Sequence, residues 1–208
     1  MAGLSTKNDH TAPLGVLAAL PSISISLEYF PDILHYILME ILTVGHDLLR
    51  QKAAPVANIK KDGPHWEKVA LEMLEALKKG KGVGLAGPQI GLMQQIFVVS
   101  IEGDEPRVFI NPSIIETSQE TSKYEEGCLS IPGVWADVIR PKSVKVQAWN
   151  EKGRPFTLEA GGLLARVILH EYDHLEGVLF IDRLPELKQK RILEKIAKKS
   201  EKAAQAKP

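Results

Sequence analysis

The residues best suited to chemistry in this chain stand together in the run His170-Glu171-Tyr172-Asp173-His174. On a helix, positions i and i+4 share a face, so both imidazoles can reach one ion. Glu171 then projects beside that ion without being a ligand, and can take a proton from a water that the ion polarises. The plain alternative is two capped or solvated histidines. Two histidines also do not complete a catalytic site, which usually takes three protein ligands and leaves one position for water.

Candidates for the third ligand can be weighed one by one. A well-known protease pattern continues His-x-x-Gly-x-x-His, and this chain follows it as far as Gly177 before placing Phe180 where the histidine should be. That argues against that protease class. His10, His35, His46 and His65 lie in no recognisable motif, and Glu176, Asp182 and Glu186 could supply a carboxylate, as in other metallopeptidases. Cys128, the only cysteine, is the better third ligand, in the run Glu125-Glu126-Gly127-Cys128-Leu129-Ser130-Ile131-Pro132. Gly127 frees the backbone for a tight approach, and Pro132 restricts the backbone on the far side of the cysteine. A thiolate beside a dication is deprotonated outright, which removes the obstacle of cysteine's own pKa. Two other readings of Cys128 stay open: a small buried hydrophobe, or a nucleophile with His and Glu partners.

A third run, Gly82-Val83-Gly84-Leu85-Ala86-Gly87-Pro88-Gln89-Ile90-Gly91, is rich in glycine, which lets backbone approach a substrate closely. A phosphate-binding loop is the competing reading. It is weak, because no Lys-Ser/Thr comes after the glycines and no helix start is evident.

These three runs, in this order, closely resemble peptide deformylases, from about Met39 to Leu184. That family removes the formyl group from the N-terminal formyl-methionine of new polypeptides. The resemblance implies that Cys128, His170 and His174 bind the metal and that Glu171 is the general base and then the acid. It further implies that the Gln89 side-chain amide and the Leu129 backbone N–H stabilise the oxyanion. The ion implied is Fe²⁺, with zinc, nickel or cobalt able to take its place. The fold implied is antiparallel sheets around a central helix that carries the two histidines. The methionine pocket should be apolar, and Val83, Gly84, Leu163 and Val167 are its expected walls by position. Two departures stand out: Gly87 where the family usually has alanine, and Leu169 where it usually has glutamine. Gly87 is expected to loosen the loop that carries Gln89, and Leu169 to remove a hydrogen bond behind the ligands.

Periodicity gives the scaffold around these residues. Pro64 opens a helix with Val69, Met73, Leu74 and Leu77 at helical spacing, and Gly80 and Gly82 end it. Strand-like runs are Ile96–Ser100, Val108–Ile110, Ile114–Thr117, Val134–Ile139 and Val144–Trp149. Met39-Glu40-Ile41-Leu42 reads as a first strand or turn. A second helix spans about Leu163 to Leu175, with Gly177 as its stop, and a third covers about 185–204. Strands gathered between helices without regular alternation argue an α+β class. Residues 1–38 read as an extension, and 39–208 as one catalytic domain.

Composition sets the outer bounds. With 208 residues, 44% apolar residues and no net formal charge, the chain reads as a globular domain with nothing global that points to DNA. A single cysteine suggests a reducing compartment, hence the cytoplasm. No apolar run is long enough for a membrane span, and Ala12–Leu27 lacks the clean positive start of a signal peptide. The third helix is basic. Its expected inward residues are Leu187, Ile192, Leu193 and Ile196, and its alternative role is a contact with the ribosome. A metallopeptidase cleaving ordinary peptide bonds, and a formyl-peptide-binding or ribosome-binding protein with a vestigial site, are the competing functions.

Overall fold

The structure, a computed structural model, describes residues 40–205; the proposed extension 1–38 lies outside them. Helix α1 (Gly63–Gly80) carries Pro64 in its first turn and ends at Lys81 in the left-handed conformation. Seven strands come next: β1 (Gly84–Ala86), β2 (Ile96–Val99), β3 (Arg107–Thr117), β4 (Thr121–Cys128), β5 (Ile131–Pro141), β6 (Ser143–Trp149) and β7 (Pro155–Gly161). Helix α2 (Gly162–Leu175) holds the two histidines, and helix α3 (Glu186–Gln205) closes the described chain.

All strand pairs are antiparallel. Five strands form one sheet in the order β1-β2-β3-β6-β7, and β4 pairs with β5 in a separate ribbon. The sheet is covered on both faces. Phe97, Val99, Phe109 and Val146 pack with Ala165, Val167 and Ile168 of α2. Ile96, Val98, Val108 and Ile110 pack with Trp66, Val69, Met73 and Leu77 of α1. This is why β2 reads as a continuous apolar run: a strand buried on both faces has no polar side to show. A third cluster joins Ile131, Ala136 and Val138 of the ribbon to Leu49, Phe180 and Ile181.

The helices fall where periodicity places them, and the strands less so. β3 runs straight through the predicted break at Asn111-Pro112. Asn111 adopts a left-handed φ of 48°. Its side chain accepts from Val56 N at 2.7 Å and donates to Val56 O at 2.8 Å, standing in for a backbone partner at an irregular point in the ladder. β4 escapes detection because its run is almost wholly polar. Residues 40–43 form no strand; the segment is tied down by Leu42 N donating to Gln89 O at 2.7 Å and Val44 N to Ser130 O at 2.8 Å. On α3 only Ile192 and Ile196 pack inward, whereas Leu187 and Leu193 are exposed. The helix meets the third cluster along a strip too narrow to cover all four.

Candidate metal centre

Helix α2 is apolar along Leu163–Ile168 except for the buried Arg166, and then turns polar on its buried side: His170, Glu171, Asp173 and His174 are all buried. Gly177, with φ 73°, lets the chain leave the helix where a Cβ would meet Arg50 O at 2.6 Å. The ribbon's tip brings Cys128 to the histidine face. Cys128 Sγ lies 3.3 Å from His174 Nε2, and one ligand atom from each of Cys128, His170 and His174 falls within 4.8 Å of the others. Among the described residues this is the one such group. Glu176 is paired with Lys52 and Asp182 with Arg50, so neither turns toward it. His46 caps a short helical turn and His65 packs on Trp66; His10 and His35 lie outside the described residues. Phe180 is fully buried and stacks near His170, so the position that would bear a third histidine is a packing position here.

The donor set fits a transition metal of the iron-to-zinc series. A thiolate with two imidazoles suits those ions and not magnesium or calcium. The two imidazoles differ in their electrostatics. Burial pushes His170 down, yet its hydrogen bonds to Cys128 and Glu126 outweigh burial and raise it to about 10. Its neighbour His174 is held well below the ordinary value by burial and by the His170 charge.

A layer of residues that sequence reasoning missed braces the cluster. Glu126 accepts from His170 Nδ1 at 3.0 Å, which turns Nε2 toward Cys128. Burial would push Glu126 up, but hydrogen bonds from His170 and Arg140 overcome it and hold the carboxylate at about 2. Arg140 bonds Glu126 at 2.7 and 3.0 Å and Asp173 at 2.7 Å; Arg166 bonds Glu126 at 2.7 Å. Asp173 also accepts from Arg183. The available signal was Arg166, a charge set in the otherwise apolar run 163–169, where a charge is rarely buried unless paired.

Glu171 has no such partner. Its Oε2 is buried without a hydrogen bond, and burial raises the carboxyl to about 7 against the pull of His170 and Arg140. Gly84 makes room for it, since a Cβ there would stand 2.3 Å from Glu171 Oε1. Gln89 lies in a short helical turn, Gly87–Ile90, where no helix start was expected. Its Oε1 accepts from Ala86 N at 2.7 Å, which aims Nε2 at Cys128 Sγ (3.5 Å) and Ser130 Oγ (3.2 Å). Gly87 packs where a Cβ would meet Leu92 O at 2.5 Å, so the missing methyl lets the next loop close tightly over it. Leu129 sits in the turn after Cys128, with its side chain against Gly80 and Gly82. Val83, Gly84, Leu163 and Val167 all line the cavity of about 660 Å³ above His170 and Glu171.

The family model described as polypeptide deformylase matches residues 38–190. The chain belongs to the peptide deformylase family. The peptide deformylase of Prochlorococcus marinus is 48% identical over 149 residues, 70% of this chain and 72% of that one. That of Neisseria meningitidis is 44% identical over 164 residues, 78% and 96% of the two chains. A Synechococcus elongatus peptide deformylase in complex with actinonin superposes with a TM-score of 0.69 at 43% identity, covering 75% of this chain and 84% of that one. The Legionella pneumophila enzyme gives 0.72 at 35% identity, covering 81% and 98%. The deformylase fold, with antiparallel sheets and a C-terminal helix, is therefore the fold of this chain, and the metallopeptidase reading is not favoured.

Proposed function

We propose that this chain hydrolyses the formyl group from formyl-methionyl peptides, releasing formate, with Cys128, His170 and His174 holding one divalent ion. The observation that carries this reading is convergence: the unpaired Glu171 carboxyl and the Gln89 amide meet at that cluster on the floor of one cavity. An ion held there supplies a Lewis acid and a water acidified to about pKa 7. Glu171, itself raised to about 7, takes a proton from the attacking water and passes it to the leaving nitrogen. Gln89 Nε2 and the Leu129 N–H donate to the oxygen as it gains charge. Val83, Gly84, Leu163 and Val167 form the methionine subsite, and the apolar lining orients that side chain. Fe²⁺ is the assigned ion, with zinc, nickel or cobalt as substitutes.

The chain is assigned to the cytoplasm, with newly made polypeptides as substrate. No described helix is long and apolar enough to cross a membrane. The exposed Lys188, Lys190, Arg191, Lys195, Lys198 and Lys199 on α3 support a ribosome contact. The test is formate release from a formyl-Met-Ala peptide under anaerobic conditions, with metal analysis of the same sample. Formate with iron bound is expected. Absence of formate from the metal-loaded protein rejects the reading, and full activity with zinc alone rejects only the iron assignment.

A further inference from the structure

Three elements carry the centre, and each must be tied to the other two. Ser130 ties the ribbon to the Gln89 turn, and Glu126, Arg140 and Asp173 tie the ribbon to α2. The remaining tie, from the Gln89 turn to α2, runs through residues 53–56. Ala53 N donates to Leu175 O at 2.8 Å. Leu175 is the last residue of α2, next to His174, and its carbonyl is one that a helix end leaves without an internal partner. One residue on, Ala54 N donates to Met93 O at 3.0 Å, and Ala54 O accepts from Gln95 N at 2.8 Å. Leu92 N in turn donates to Gly87 O at 2.9 Å, which joins that loop to the turn that holds Gln89.

Regular structure does not fix residues 53–56. They belong to no helix, and Ala54 makes a single isolated bridge to Gln94. Two side-chain amides clamp them instead. Gln95 Nε2 donates to Ala53 O at 3.3 Å. Asn111 takes Val56 at both ends, accepting from its N–H at 2.7 Å and donating to its carbonyl at 2.8 Å. The two clamps are themselves joined, since Asn111 N donates to Gln95 O at 2.8 Å. Gln95 stands one residue before β2 and Asn111 lies within β3. The grip is thus rooted in the sheet that α1 and α2 cover.

Resting on the deformylase reading, we infer that Gln95 and Asn111 are positioning residues for the reaction: by clamping residues 53–56 they set the distance between Gln89 Nε2 and the ligand helix. A donor of this kind must stand within about 0.5 Å of its productive place. A misplacement of about 1 Å caused by a remote change can cost about 10²-fold in rate. Gly87 keeps the route short. A Cβ there would meet Leu92 O and Gln94 O, so the loop lies directly on the turn, and a shift at Ala54 reaches Gln89 with little to absorb it. The route does not pass through the ribbon that carries Cys128, so it bears on kcat and not on ion affinity.

The experiment is a double-mutant cycle on formate release from a formyl-Met-Ala peptide, with Gln95→Ala and Gln89→Ala alone and together. Gln95→Ala should lower kcat about three- to tenfold, the range of one side-chain hydrogen bond, with KM and ion affinity within about twofold of wild type. In the Gln89→Ala protein the same change should have no further effect, because the clamp acts through Gln89. Gln95→Arg keeps N–H donors and should recover most of the rate. Gln95→Glu has the same shape without a donor and should not. Asn111→Gly keeps the left-handed backbone without the amide and should repeat the Gln95→Ala pattern. Amide hydrogen exchange at Ala54 and Leu92 should quicken in Gln95→Ala. Losses that multiply in the double variant overturn the inference and make Gln95 a general support of the fold. Unchanged exchange, or a full rate in Gln95→Glu, overturns it too. A wild type that makes no formate rejects the deformylase reading instead, and the exchange then decides the clamp alone.

Discussion

Glu171 and Gln89 reach the cluster by different physical routes. Glu171 is left unpaired and buried, which brings its carboxyl near neutrality, where a group can both take and return a proton. Gln89 is fixed at both ends of its amide, so its donor is aimed before substrate arrives. Replacing Glu171 with alanine should abolish formate release while metal analysis still finds the ion. Loss of the ion with turnover would show that Glu171 supports the cluster and does not act as base. Gln89→Ala should lower kcat by about 10²- to 10³-fold with a smaller effect on KM, the expected signature of a donor that acts mainly in the transition state.

The ribbon and α2 are bolted together by charge more than by apolar contact at the level of the ligands. Glu126→Ala leaves Arg140 and Arg166 buried beside a missing partner, at a cost of about 3–5 kcal/mol. Urea titration should show it, and metal affinity should fall about 10- to 100-fold as His170 loses its orientation. A variant with unchanged urea midpoint and affinity would remove Glu126 from any supporting role. The same elements explain what could be read in advance. His170, Glu171, His174 and Cys128 were legible because ligand chemistry imposes residue types and a helical spacing. α2 was legible from its period and Gly177. Arg140 and Asp173 were not, because pairing across 33 positions leaves no local trace. β4 was not, because a ribbon strand with a wet face has no apolar rhythm. The packing of Gly87 was not legible for a related reason: a close approach by Leu92 is invisible until the loop is folded.

Across the chain as a unit, residues 40–44 strap the Gln89 turn to Ser130, so the boundary of the active unit should fall just before them. Deleting residues 1–38 should leave kcat/KM unchanged. Deleting 1–44 should lower it, because Leu42 N and Val44 N no longer hold Gln89 and Ser130 in place. Equal activity of the two truncations would show that the strap is dispensable. Chelation should lower the melting temperature, since an ion that binds only the folded chain stabilises it by about 2.7 kcal/mol at a hundredfold excess over its Kd. An unchanged melting curve after chelation would mean that the cluster binds no ion tightly.

The cavity wall has one further property. Gly82, Gly84 and Gly127 all line it, and a single added carbon would strike Leu129 and Leu77, Glu171, or Trp135 respectively. Those stretches of wall are main chain with no side chain free to vary. A molecule that gripped the cavity there would be recognised by atoms common to every amino acid. A point substitution could not reshape its binding surface without also disturbing Glu171 or the rim. Escape from such an inhibitor would have to come from the side-chain-built parts of the mouth.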